Sequence, residues 1–229
     1  ILWYNQNIIY MKRTILFVFS LLLLAGVRAQ VKVGLEVGGG INGIISDDVY
    51  NSTDMMERAG VTVDFFPKKR SGLMYETGIY YVYKGYNMSG FLSDRTAIKE
   101  LRTKMNCLEV PFMFGHVTQI GNESSQARFI FKGGVYLNCG INGKGTAVWE
   151  PTGESNEERI SNVFKDQSFQ NGQFVGYNRF DFGIRLGSEF QIKDYFLRVS
   201  YSAGFLKVHS SYGKAMNSDL CITLGCYLL

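Results

Sequence analysis

The chain has 229 residues, of which 46% are hydrophobic and 14% aromatic, with 26 glycines, 3 prolines and 4 cysteines. This composition excludes a disordered chain, which is poor in aromatic residues, and a small disulfide scaffold, which is shorter and denser in cysteine. Lys12, Arg13 and Arg28 lie in an N-terminal leader that is described below. Without these three, the 24 basic residues fall to 21 against 20 acidic ones. A chain so close to neutral lacks the basic surface of nucleic-acid-binding proteins, and we expect no nucleic-acid partner.

The N-terminal region has the pattern of a secretory signal peptide. A basic start is followed by the apolar stretch 15–25 and then by the segment 27–29, which is typical of a cleavage site. The apolar stretch is too short for a stable membrane-spanning helix, which is the alternative interpretation. We therefore interpret residues 11–29 as a cleaved signal peptide, residues 1–10 as an upstream extension, and residues 30–229 as the mature domain.

Beyond the leader, apolar and polar residues alternate with the period of two that is typical of β-strands. In the segment 180–190, Phe180, Phe182 and Ile184 share one face, whereas Asp181 and Arg185 share the other. The same alternation predicts eight strands, in chain order within 32–41, 59–65, 75–84, 107–115, 128–141, 180–190, 195–205 and 220–228.

A soluble β-sandwich also alternates, but three features favour a membrane barrel. The polar faces carry Glu, Asp, Lys and Arg near the strand centres, as suits a narrow lumen, and aromatic residues gather at both strand ends, as at bilayer interfaces. Long and short connections alternate along the chain, as in outer-membrane barrels: 42–58, 66–71, 87–104, 117–126, 143–177, 191–194 and 207–218. The sequence therefore predicts an all-β, eight-stranded antiparallel up-and-down transmembrane β-barrel in contact with outer-membrane lipid.

Several segments, in strand order, carry a family likeness. They are Tyr75–Gly85, Cys107–Phe114, Phe180–Gly187, Phe196–Gly204 and Leu224–Leu228. The chain resembles the PorT-type outer-membrane β-barrel family of Bacteroidota, often labelled porin family proteins. The resemblance implies an eight-stranded barrel in the cell outer membrane, without an agreed activity for most members. The founding member is tied to the secretion of proteins across that membrane.

Charged residues on the polar faces predict an ion-pair network inside the barrel. An eight-stranded barrel has room for little more than its own side chains, and buried charges need partners. We expect acids on the first four strands to pair across the lumen with bases on later ones, and Glu109 to contact Arg185 or Arg198. The expected network comprises Glu36, Asp64, Glu76, Glu109, Lys132, Asp181, Arg185, Glu189 and Arg198, together with Lys32, Lys84 and Arg128. A structural plug is the favoured interpretation, and a proton or ion path is the alternative.

A nucleophilic site is a weaker hypothesis. His209 and Ser211 have a spacing that resembles the His-x-Ser of the lipid A deacylase barrels, and Asp219 on the next strand is a candidate orienting acid. Such spacings are common by chance. The sequence shows no metal-ligand cluster and no phosphate-binding loop, so we expect no cofactor and no enzyme activity.

The expected function is that of a binding or scaffolding component of the envelope. The long connection 143–177 carries charged residues and a candidate short helix over 156–164, and outer loops of this kind often contact partners. An envelope or secretion protein is the expected partner. A lipid A-modifying hydrolase and a small-solute channel are the alternatives.

Overall fold

The computed structural model describes the greater part of residues 30–229. The described residues are 30–45, 53–66, 72–93, 96–121, 126–149, 156–169, 172–208 and 215–228. The expected upstream extension and signal peptide, residues 1–29, lie outside this part of the chain, as do His209 and Ser211.

Eleven strands make up the regular structure of the described residues. In chain order they are β1 (Gln30–Ile45), β2 (Thr53–Phe66), β3 (Gly72–Ser93), β4 (Thr96–Ile120), β5 (Ala127–Trp149), β6 (Asn156–Ile160), β7 (Gln167–Phe169), β8 (Gly172–Phe174), β9 (Phe180–Ile192), β10 (Tyr195–Lys207) and β11 (Met216–Tyr227). All of the pairings between them are antiparallel.

Eight of these strands close into a ring. The hydrogen-bonded order is β4-β3-β2-β1-β11-β10-β9-β5, and pairing between β4 and β5 completes the circle. The first and last strands of the chain meet at a seam in which Gly38 lies opposite Thr223. The predicted fold class, an all-β, eight-stranded antiparallel up-and-down barrel, is confirmed.

The barrel wall has an apolar outside and a polar inside. On β9, Phe182, Ile184 and Leu186 face outward and are exposed, whereas Asp181 and Arg185 between them face inward and are buried. The other ring strands repeat this alternation. It follows from the backbone of a strand, which directs successive side chains to opposite faces.

The two ends of the barrel differ in the length of their connections. At one end, which we call the turn end, β2 is joined to β3 and β9 to β10 over a few residues. The opposite end, which we call the loop end, carries the connection from β5 to β9. There β3, β4 and β5 are 22, 25 and 23 residues long, whereas about 9–11 residues of a tilted strand span a bilayer.

Two expectations about the loop end are wrong. The segment 87–104 is not a long connection, because β3 and β4 continue through it as a paired hairpin. The segment 156–164 is not a short helix: Asn156–Ile160 is β6, which pairs with Gly145–Trp149 of β5. The inward faces explain the first difference, since Tyr86 and Met88 continue the buried alternation of β3 beyond the predicted strand end.

Candidate functional site

The lumen near the turn end is filled by a cluster of ion pairs. Lys132 on β5 donates hydrogen bonds to Glu76 and, at 2.6 Å, to Glu189. The Arg198 guanidinium donates to Glu36 at 2.5 Å and to Glu189 at 2.8 Å, and its Nη2 lies 3.1 Å from Glu76. All five side chains are buried. Two cations thus form ion pairs with three carboxylates from three different strands.

Asp64 lies in the same cluster but has different partners. Its Oδ1 accepts a hydrogen bond from Thr62 at 2.9 Å, and its Oδ2 contacts the hydroxyl of Tyr227. The Tyr227 hydroxyl also lies 3.1 Å from Glu189 Oε1. Asp64 is fully buried, and two hydroxyl groups take the place of a cation beside it.

A second group of charges occupies the middle of the lumen. Arg185 donates two parallel hydrogen bonds to Glu109, at 2.7 and 2.8 Å, and its Nε donates to Ser202 at 2.8 Å. On the other side of Glu109, Arg58 Nη1 lies 3.0 Å from Oε1. The Arg58 guanidinium carbon is 3.8 Å from the centre of the Tyr80 ring, a cation–π contact. Glu109 is therefore held between two guanidinium groups.

A third group of charged residues lies toward the loop end, whereas Lys32 and Arg128 lie at the turn end. Lys84 Nζ is 3.2 Å from Asp219 Oδ2, and both side chains are buried. Asp181 accepts hydrogen bonds from Tyr136 at 2.9 Å and from Asn217 at 2.7 Å. At Asp181, as at Asp64, neutral groups take the place of an ionic partner.

The ion pairs do not all cross the lumen as the sequence suggested. Glu109 on β4 reaches Arg185 on β9 past one intervening strand, and Glu36 on β1 reaches Arg198 on β10 in the same way. Glu189 and Arg198 are direct cross-strand partners on β9 and β10. In a barrel this narrow, long side chains on next-nearest strands already meet, so few pairs need the full diameter.

Two charged residues of the lumen lay outside the sequence-based network. Arg58 was assigned to a connection, although it continues the inward alternation of β2 two residues before Gly60. Asp219 was considered as an orienting acid, yet it shares the inward face of β11 with Cys221 and Thr223. Extending the alternation of each predicted strand by one residue toward its start places both side chains on the lumen face.

Of the proposed nucleophilic site, only Asp219 lies among the described residues. Asp219 points into the lumen and is engaged by Lys84, away from the lipid-facing surface where a deacylase would work. Asp64, Glu76 and Glu189 do bring carboxylate oxygens within 4.8 Å of one another, as a metal site would. However, Lys132 and Arg198 already donate to two of these carboxylates and supply the positive charge there.

The loop end of the lumen is closed by apolar side chains. Val163 N donates to Gly143 O at 3.2 Å and Tyr177 N donates to Val163 O at 2.7 Å, which fixes this segment against β5. The Tyr177 ring centre lies 5.9 Å from that of Tyr86 on β3. The buried cluster contains Met56, Tyr80, Val82, Tyr86, Met88, Leu101, Met105, Ala147, Ile160, Val163, Phe174, Tyr177 and Val208. A cavity beside it, of ≈ 20 Å³, has room for about one water molecule.

On the loop-end extension of β4, an exposed ion pair shifts the pKa of a carboxyl group. Arg102 on the loop-end extension of β4 donates to Glu100 at 2.6 and 2.9 Å. These hydrogen bonds lower the pKa of the Glu100 carboxyl below its ordinary value and raise the pKa of Arg102. Both side chains are accessible to water, and Arg102 is 65% exposed.

Comparison with solved structures finds small barrels of bacterial outer membranes, all at low identity. Neisserial surface protein A (NspA) is 8% identical, with a TM-score of 0.43, over 86% of this chain and 98% of that one. The attachment invasion locus protein Ail of Yersinia pestis is 9% identical, with a TM-score of 0.35, over 87% and 99%. The N-terminal β-barrel domain of Pseudomonas aeruginosa OprF is 9% identical, with a TM-score of 0.30, over 86% and 98%.

Comparison of the sequence with family models gives the assignment. No curated protein matches the sequence significantly. Among the described residues, no helix has the length and apolar character needed to cross a membrane. The family model described as outer membrane protein beta-barrel domain matches residues 25–210, which is most of the chain. Together with the closed ring of eight strands, this match shows that the chain belongs to the outer-membrane β-barrel domain family.

Proposed function

We propose that the protein is a binding or scaffolding component of the outer membrane, without enzyme activity, whose barrel serves as a rigid support. The observation that carries this proposal is the filled lumen. Ion pairs occupy it from Glu36 to Lys84, and the apolar cluster around Tyr177 covers the loop end. A support of this kind leaves the surface beyond the bilayer as the part available for partners.

The extension of β3, β4 and β5 beyond the bilayer is the proposed contact surface. In outer-membrane barrels the short turns face the periplasm and the longer connections face the exterior, so we assign this extension to the cell surface. Its inner side is covered by the chain's own residues, including Ile160 and Phe174. Its outer side presents Arg102, Lys104 and Lys144 as exposed residues.

We further propose that the chain is a PorT-type protein and that its partner is an envelope or secretion protein. The family match supports the outer-membrane barrel, and the strand motifs named above carry the finer likeness. A secretion partner could bind such a barrel as a rigid membrane anchor that does not conduct solutes. Residues 11–29, as a cleaved signal peptide, would take the chain across the inner membrane.

Cross-linking followed by affinity capture from gently solubilised outer membranes tests this proposal. The double variant Arg102→Glu with Lys144→Glu reverses two charges on the proposed surface, and Lys193→Glu reverses one at the turn end as a matched control. We expect specific partners that disappear in the double variant and persist in the control. Partners that are unchanged by the double variant, or no partner at all, would overturn the proposed contact surface.

The two alternatives have their own readouts. Planar-bilayer recordings of the purified protein should show no stepwise conductance, because the ion pairs around Glu109 occupy the middle of the lumen. The mass of lipid A should be the same in cells with and without the protein. Conductance steps would establish a channel, and a lost acyl chain that depends on His209 and Ser211 would establish a hydrolase.

A further inference from the structure

The charges in the lower and middle lumen do not balance when every group is ionised. Four cations lie there: Arg58, Lys132, Arg185 and Arg198. Five carboxylates face them: Glu36, Asp64, Glu76, Glu109 and Glu189. Lys32 is also buried and is the cross-strand neighbour of Asp64, but the ion pair that it forms in the described residues is with the exposed Asp194, at 3.7 Å. Apart from Lys32, the buried set therefore has one carboxylate more than it has cations.

Asp64 is the carboxylate in excess. Each of the other four has a cation within ion-pair distance: Glu36, Glu76 and Glu189 contact Arg198, and Glu109 contacts Arg185. Asp64 is fully buried. In the described part of the chain its carboxylate oxygens form hydrogen bonds with the hydroxyls of Thr62 and Tyr227. An ionised carboxylate in this position would be buried without a direct ion-pair partner and beside two other carboxylates, which is unfavourable.

The hydrogen bonds of Tyr227 point to the same residue. Its hydroxyl has one proton but lies between two carboxyl oxygens, Asp64 Oδ2 and Glu189 Oε1. If that proton were directed to Asp64, Glu189 Oε1 would be buried without a donor, since Lys132 and Arg198 both donate to Oε2. One further proton is needed for both contacts to be hydrogen bonds.

We propose that Asp64 is a buried proton-binding site, and that its carboxyl group is neutral in the folded protein at neutral pH. The proton on Oδ2 is donated to the Tyr227 oxygen, and the Tyr227 hydroxyl donates its own proton to Glu189 Oε1. Thr62 donates to Asp64 Oδ1. Both oxygens of Asp64 and Oε1 of Glu189 then have a hydrogen-bond partner. Apart from Lys32, four ionised carboxylates face four cations.

The surroundings of Asp64 determine what loss of this proton would do. Its charged and titratable neighbours are Lys32 and Glu36 from β1, Glu76 from β3, Lys132 from β5, Glu189 from β9, Arg198 from β10 and Tyr227 from β11. At this level β4 presents the apolar Met113, which lies opposite Glu76. Ionised Asp64 would stand against Glu76 and Glu189 within 4.8 Å, so alkaline conditions should loosen the turn end.

Infrared spectroscopy of the folded barrel in detergent tests the proposal. A protonated carboxyl group gives a carbonyl band above the amide region, which shifts when hydrogen is exchanged for deuterium. We expect this band at neutral pH in the wild-type protein, its loss in Asp64→Asn, and its retention in Asp54→Asn, whose carboxylate is ion-paired with Lys104 at the surface. Retention of the whole band in Asp64→Asn would overturn the proposal.

Two further measurements cover the case in which Asp64→Asn does not fold. Tyr227→Phe removes the group that accepts the proton, so the carbonyl band should remain and shift in frequency. Absence of any such band from the wild-type spectrum overturns the proposal by itself. If Asp64→Asn does fold, its unfolding midpoint should fall less between neutral and alkaline pH than that of the wild type, and an equal fall would contradict the assignment.

Discussion

A charged residue in the lumen stabilises the fold only when its ion-pair partners are also present. Glu109 illustrates this, because the two oxygens of its carboxylate take three contacts from Arg58 and Arg185. A buried ion pair adds little net stability over an apolar pair, but removal of one partner leaves the other as an unpaired buried charge. The network should therefore tolerate paired replacements far better than single ones.

A double-mutant cycle on Glu109 and Arg185 measures this dependence. Glu109→Ala leaves two guanidinium groups without their carboxylate and should lower the free energy of unfolding by about 3–5 kcal/mol. Glu109→Gln combined with Arg185→Gln should cost less than the sum of the single changes, with a coupling of roughly 0.5–3 kcal/mol in a refolding titration. A coupling near zero would mean that the carboxylate is solvated.

Glu100 provides a pH-dependent prediction outside the membrane-spanning region. The hydrogen bonds from Arg102 lower the pKa of Glu100, so this pair stabilises the fold above the ordinary pKa of a glutamate. That contribution is lost as the pH falls through the lowered value in the folded state. NMR titration should give a depressed pKa for Glu100 that returns toward the ordinary range in Arg102→Ala. Lys144→Ala, on the neighbouring strand, should leave it unchanged.

At the scale of whole strands, the period of two fixed the faces but not the ends. The apolar and polar faces of all eight ring strands follow the sequence because each strand separates lipid from lumen. The ends of β3 and β4 were missed, since beyond the bilayer the outward residues become polar and the pattern resembles a loop. Asn156–Ile160 has helix-forming residues, yet pairing with the free edge of β5 outweighs that weak local preference.

The seam between β1 and β11 depends on glycine. A Cβ atom on Gly38 would lie 2.6 Å from the Thr223 Cα and still closer to the Ile222 carbonyl oxygen, so the two backbones would have to separate. Gly38→Ala should therefore lower the free energy of unfolding by about 1–3 kcal/mol. At Gly187 the corresponding atom meets nothing nearer than 3.4 Å, and Gly187→Ala is the matched control. Equal losses for the two variants in a urea titration would contradict the close packing at the seam.

Lipid-facing and lumen-facing positions should respond differently to substitution. Leu197 and Ile184 are exposed on the outer wall, so Leu197→Arg or Ile184→Arg places a cation in hydrocarbon at a cost of about 2–4 kcal/mol near the midplane. Thr223 is buried on the inner face and its hydroxyl has no hydrogen-bond partner among the described residues, so Thr223→Val should be nearly neutral. Refolding into lipid vesicles compares the three variants. An equal loss of stability in the two arginine variants and in Thr223→Val would contradict the assignment of the lipid-facing and lumen-facing sides.

For the whole molecule, the sequence predicts which groups lie inside but not how they are arranged. The alternation predicts the face of each charged residue, whereas the partner of each depends on strand stagger around the ring, which no local pattern encodes. Glu189 and Arg198 were predictable because a short turn fixes their register. The contact between Lys84 and Asp219 was not, because it joins β3 to β11 across the seam and two intervening strands.

The four cysteines report the inside and the outside of the whole barrel in one experiment. Cys107 and Cys221 are buried in the lumen, whereas Cys139 and Cys226 are half-buried on the wall, and all four are free thiols in the structure. A lipid-soluble maleimide should therefore label two sites in the folded protein and four after denaturation, counted by mass spectrometry. Cys139→Ser and Cys226→Ser should each remove one native label, and Cys107→Ser should remove none. Native labelling of Cys107 or Cys221 would show that reagent enters the lumen, and the interior would then be open enough to conduct small solutes.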